Sequence, residues 1–96
     1  MGAPSLADLP PLENEYMELA LRRLRANPED ADALLVLGAW LFLHGHAKDA
    51  LDCFCRVTRA NPTYPGIWRL TAKAFEALGD EGNAERCRRR GANPDS

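Results

Sequence analysis

An all-α fold, built of antiparallel helical hairpins in tandem, is what this sequence predicts, and three observations carry the prediction. The triplet Ala26-Asn27-Pro28 returns as Ala60-Asn61-Pro62, 34 residues further on. The same offset pairs Gly45 with Gly79, Ala50 with Ala84, Cys53 with Cys87, and Arg22 and Arg25 with Arg56 and Arg59. Between these marks apolar residues recur at helical spacing, and the alternation of a strand is sustained nowhere. A fixed period of this length marks stacked helical hairpins, each unable to bury its apolar face alone.

The elements follow in order. Residues 1–12, with Gly2, Pro4, Pro10 and Pro11 and with Leu6 and Leu9 as apolar anchors, read as an extended or disordered arm. A leading helix is expected over 13–26, where Tyr16, Leu19, Ala20, Leu21 and Leu24 recur at helical spacing; Asn27-Pro28 ends it, because a residue before proline is pushed out of the α region. Glu29 and Asp30 put negative charge at the positive pole of a second helix, expected to run to about His44. Gly45 permits the turn. A third helix over 47–60 carries Ala50, Leu51, Phe54 and Val57 on one face, and Asn61-Pro62 stops it. Pro65 suits the first turn of a fourth helix, which carries Ile67, Trp68, Leu70, Thr71, Ala74, Phe75 and Leu78 towards Gly79. A short fifth helix over 81–90 ends at Gly91, and 93–96 form a tail.

Composition narrows the function classes. With 27% charged residues, 46% apolar residues and a net charge of −2, the chain has the balance of a globular domain and no global field for nucleic acid. The richest apolar run, residues 34–43, is too short to span a membrane, and the amino end lacks the layout of a secretion signal. Three cysteines cannot all pair, and Cys53 and Cys55 point to different sides of one helix; reduced thiols and a cytoplasmic location are expected. His44 and His46 flank Gly45, but with Cys53 or Cys55 they show no zinc-ligand spacing, so no metal or other cofactor is expected. No phosphate loop, nucleophile elbow or zinc-protease motif occurs, and no enzyme is expected. Arg86, Arg88, Arg89 and Arg90 are balanced by Asp80, Glu81 and Glu85 without interleaved aromatics, and suit the polar end of an array better than a nucleic-acid surface.

The pattern from residue 31 to 64 resembles the tetratricopeptide repeat family. Leu34 takes the place of the family's Trp, Leu37-Gly38 that of its Leu-Gly pair, Leu41 that of an aromatic, and Ala50, Phe54 and Pro62 fall at the family spacing. Gly38 and Ala50 are the small residues that let two helices approach closely. The repeat over 65–92 keeps Trp68, Phe75 and Ala84 but has Thr71-Ala72 in place of Leu-Gly and Arg88 in place of Phe. The leading helix matches only the second half of a repeat, with Tyr16 and Ala20 in the Ala and Phe places.

The resemblance implies a concave groove, lined by the first helix of each repeat, that binds a peptide or another protein. Carried over, its positions are Asp32, Leu35, Ala39 and Phe42 in one repeat and Gly66, Arg69, Lys73 and Glu76 in the next. The residues themselves support the apolar half: every residue from 34 to 43 except Gly38 is apolar, and a two-repeat array leaves one side of such a helix open, so Leu35, Ala39, Phe42 and Leu43 are expected to form an apolar patch. Arg69 and Lys73, four apart, share a face that suits an acidic end of a partner. Leu35 and Ala39 stand where a complete carboxylate clamp of the family requires polar side chains. The expected role is therefore a protein-interaction module, an adaptor or scaffold that takes a helix or extended peptide. A narrower expectation is a small chaperone of a bacterial secretion system, to which this chain is similar in size and in its apolar first helix; an expectation of a different class is a structural scaffold that associates with itself.

Overall fold

The computed structural model describes residues 15–92; the arm expected over 1–12 and the tail over 93–96 lie outside the described residues. Five helices follow one another: α1 (Glu15–Ala26), α2 (Ala31–Leu43), α3 (Ala47–Ala60), α4 (Ile67–Ala77) and α5 (Glu81–Ala92), with no strand among the described residues. Each packs on the next, and the short turns between them make the neighbours antiparallel. The smallest dimension, 19 Å, equals two helices of about 10 Å side by side. With only two layers, every helix keeps an outward face.

The 34-residue period is present in the backbone. Ala26 and Ala60 end helices, as do Leu43 and Ala77, and Ala47 and Glu81 begin them. Gly45 and Gly79 turn the chain with φ of 84° and 79°, values that an L side chain resists. The two Asn-Pro corners are alike: the Asn27 side chain accepts from the Glu29 amide at 3.1 Å, and that of Asn61 from the Thr63 amide at 3.2 Å. Asp30 caps α2 by accepting from the Ala33 amide.

Phe54, Leu34, Val57, Ile67 and Met17 are the large side chains at the centre of the core. Gly38 is what allows α2 to meet α3: a Cβ there would lie 2.6 Å from Cε1 of Phe54 and 3.0 Å from Cβ of Cys53. Ala50 and Ala84, both 0% exposed, hold equivalent places, and Cys53 and Cys87 are both buried.

Three details depart from expectation. In α1 the buried face is Met17 and Ala20 with Leu21 and Leu24 packed beside them, whereas Tyr16 and Leu19 are 78% and 52% exposed. A single apolar stripe at i, i+3, i+4, i+7 accommodates only one of the two sets. α4 begins at Ile67 and not at Pro65, because Gly66 takes a left-handed φ of 77° that ends the turn before the helix. α5 runs through Gly91 to Ala92. There the glycine serves close approach, since a Cβ on it would stand 3.2 Å from that of Trp68.

Candidate functional site

On α2 the core side is Ala33, Leu34, Leu37, Gly38 and Leu41. The opposite side carries Asp32, Val36 and Leu43, all exposed, Leu43 at 80%. Leu35, Ala39 and Phe42 form one flank and are half-buried; Leu35 and Phe42 pack against the core with their inner edges. Trp40 forms the other flank. Its ring stacks on His44 at 4.1 Å and more loosely on His46 at 6.5 Å, and Nδ1 of His44 lies 2.8 Å from the Trp40 carbonyl oxygen, which ties the α2–α3 turn to the end of the helix. Leu43, projecting past that turn, is the most exposed large apolar side chain described.

The polar positions divide into engaged and open ones. Asp32 accepts a short hydrogen bond from the Tyr64 hydroxyl and stands 3.7 Å from Arg23, which itself binds Asp30 at 2.8 Å. This clasp joins α1, the start of α2 and the turn before α4. The bond to Asp32 holds the Tyr64 hydroxyl above its ordinary pKa. Glu76 is taken by Arg88, which also binds Glu81 and Glu85; these bonds raise the guanidinium pKa further. Arg69 and Lys73 are exposed on α4, and among the described residues neither makes an ion pair. Gly66 forms the exposed turn ahead of them.

Of the positions expected to line a groove, Leu35, Ala39 and Phe42 therefore fall on one flank of α2, and Leu43 on the adjoining outer side with Val36. Arg69 and Lys73 fall together on α4, and Asp32 and Glu76 are engaged within the fold. Val36, Tyr16 and Leu19 were not among the expected positions and are exposed apolar residues on the α1 side of α2. Val36 is detectable from spacing, four residues after Asp32 and seven before Leu43; Tyr16 and Leu19 are not, because the stripe through Met17 competes with theirs.

No reactive thiol emerges. Burial pushes Cys53 up to about 11 and raises Cys55 and Cys87 as well. Among the described residues no group of three or more His, Cys, Asp or Glu side chains converges, and no helix is long and apolar enough to cross a membrane. A cleft of about 450 Å³ opens elsewhere, between the α1–α2 turn (Pro28, Glu29) and the end of α3 (Arg56, Arg59, Ala60), and the groove positions do not line it. Comparison of the chain with protein-family models, with curated proteins and with solved structures gives no match in any of the three.

Proposed function

We propose that this chain is a small helical-repeat module of tetratricopeptide type that binds a segment of another protein, a helix or an extended peptide, and serves as an adaptor or scaffold. The observation that supports the reading is the outward side of α2, where Leu43 is exposed and Leu35, Ala39 and Phe42 are half-buried; among the described residues α2 packs chiefly on α1 and α3, on its other side. Recognition comes from burying that surface, at about 25 cal/mol per Å² of apolar area removed from water, against the ordering cost of the bound segment. Arg69 and Lys73, without ion pairs of their own, orient an acidic end of the ligand by charge and not by a fitted clamp. The three unpaired thiols accord with a reducing, cytoplasmic setting. Binding, without a cofactor, is the whole of the role.

The test is a selection from a random peptide library on the immobilised full chain, followed by calorimetry of the enriched peptides. Enriched sequences combine apolar residues with Asp, Glu or a free carboxyl end. Ala39→Asp abolishes their binding, Lys73→Glu weakens it about tenfold or more, and both variants keep the helical circular dichroism of the parent. Enriched peptides that bind both variants as well as the parent would refute the assignment of the site.

A further inference from the structure

The corner at Asn61-Pro62 is filled by an aromatic ring, and the corner at Asn27-Pro28 is open. Trp68 fills the former: its Nε1 donates to the Pro62 carbonyl at 2.8 Å, and the Arg90 guanidinium lies over the ring, 4.6 Å from its centroid. Gly91 leaves room for it, since a Cβ there would stand 3.2 Å from that of Trp68. Counted back 34 residues, Pro62 becomes Pro28, Arg90 becomes Arg56, Gly91 becomes Val57 and Trp68 becomes Leu34. Leu34 and Val57 are 1% and 0% exposed, and a leucine has neither ring nor N–H to offer the turn. What remains at the first corner is the cleft of about 450 Å³ between Pro28 and Glu29 on one side and Arg56, Arg59 and Ala60 on the other.

We propose that this cleft binds an aromatic side chain that carries a hydrogen-bond donor, an indole above all, presented by a segment of another protein with a carboxylate beside the ring. The second corner is the template. The Pro28 carbonyl holds the place from which that of Pro62 accepts the indole N–H, and Arg56 the place from which Arg90 covers the ring. Arg56 is paired with Asp52 at 3.3 Å through Nε, at the edge of its guanidinium. Stacking uses the face, so pair and ring are compatible, and an exposed pair holds its side chain only weakly. Arg59 supplies the second element. It lies about one turn further along α3, is exposed, and makes no ion pair among the described residues. The lining holds two guanidiniums and the carboxylate of Glu29, so one added carboxylate brings it to neutrality, where a phosphate dianion overshoots. The turn is also preformed: the Asn27 side chain accepts from the Glu29 amide and its carbonyl from the Asp30 amide, both at 3.1 Å, so little ordering is needed to receive a ligand. The volume falls within the range of about 300–1,000 Å³ usual for ligand clefts.

None of these residues belongs to the apolar side of α2, so the inference stands apart from the peptide-binding reading tested at Ala39 and Lys73. Its test is a titration of the isotope-labelled full chain with N-acetyltryptophan, N-acetyltryptophanamide and N-acetylleucine, followed by amide chemical shifts. N-acetyltryptophan is expected to bind with a dissociation constant of about 1 mM, the affinity of a single side chain. It shifts the amides of Glu29, Arg59 and Ala60 and leaves those of Leu35, Phe42 and Lys73 in place. N-acetylleucine keeps the carboxylate without the ring, the tryptophanamide keeps the ring without the carboxylate, and each binds about threefold to tenfold more weakly. Arg59→Gln brings the tryptophan acid and amide to the same affinity, whereas Arg56→Gln weakens both, a pattern that a merely structural role of the two arginines does not produce. Unmoved Glu29, Arg59 and Ala60 amides at N-acetyltryptophan concentrations well above that constant, or equal binding of the three compounds, would overturn the proposal. Tighter binding of inorganic phosphate than of N-acetyltryptophan at the same amides would overturn it as well, by making the cleft a phosphate site.

Discussion

Gly38 shows how one residue sets the distance between two helices. A methyl group there meets the Phe54 ring and Cys53, both buried side chains with little room to move, so Gly38→Ala is expected to destabilise the fold by about 1–3 kcal/mol in denaturant unfolding even though alanine is the better helix former. Phe54→Ala, which empties the centre of the core, is expected to cost about 3–5 kcal/mol in the same assay. Charge acts at single residues too. Hydrogen bonding to the Ala33 amide, with Arg23 beside it, holds the Asp30 carboxyl below the usual range. Because its folded pKa is depressed, the stabilisation is present above the pKa of the unfolded carboxyl, about 3.9, and is lost as pH falls through the folded value. Asp30→Asn should therefore flatten the acid limb of the stability-versus-pH curve. Cys53 has the opposite sign. Burial raises its pKa, so the preference for the folded thiol is fully in force below the ordinary thiol pKa and is lost as pH rises towards about 11. In the native chain at pH 8 a thiol-specific disulfide reagent is expected to label Cys55 first and Cys53 only on unfolding; immediate labelling of Cys53 would contradict the burial described.

At the scale of the elements, much of the fold was legible in the sequence because the period is written in turn residues. Asn-Pro and the glycines at 45 and 79 act locally, and local signals place helix ends well. Where tertiary packing decides, the structure departs from the local rules. Pro65 satisfies the local rule for a first helical turn, yet Gly66 adopts a left-handed φ and delays the helix; Gly91 has the composition of a stop and instead admits Trp68. The open side of α2 was legible in part, since an apolar run says that the helix is greasy all round but not which neighbours cover it. Two layers cover one side, and the exposed row of Val36 and Leu43 follows only from knowing where α1 and α3 lie. Arg88 is a further case. In the place of a phenylalanine it ties α4 to α5 through Glu76, Glu81 and Glu85 at the surface. Such exposed pairs are screened by salt, so Arg88→Met is expected to lower the thermal midpoint slightly at low ionic strength, with the difference vanishing near about 1 M salt. A difference that persists in salt would mean that the arginine stem contributes by packing and not by charge.

At the largest scale, the five helices of the described residues form a thin two-layer arrangement that cannot bury an apolar surface on both sides, and the excess falls on α2 and along the α1 edge. Such a surface is covered by a partner or by a second copy, and only the second copy raises the mass of the isolated chain in solution. Light scattering on the full chain across a concentration series, with Phe42→Asp and Leu43→Asp alongside, separates them most directly. A monomer of 10.6 kDa is expected at every concentration, with both variants folded and of the same mass. A dimer or larger species that either substitution dissolves would contradict it, because the open side of α2 would then be a subunit interface and not a surface held free for another protein.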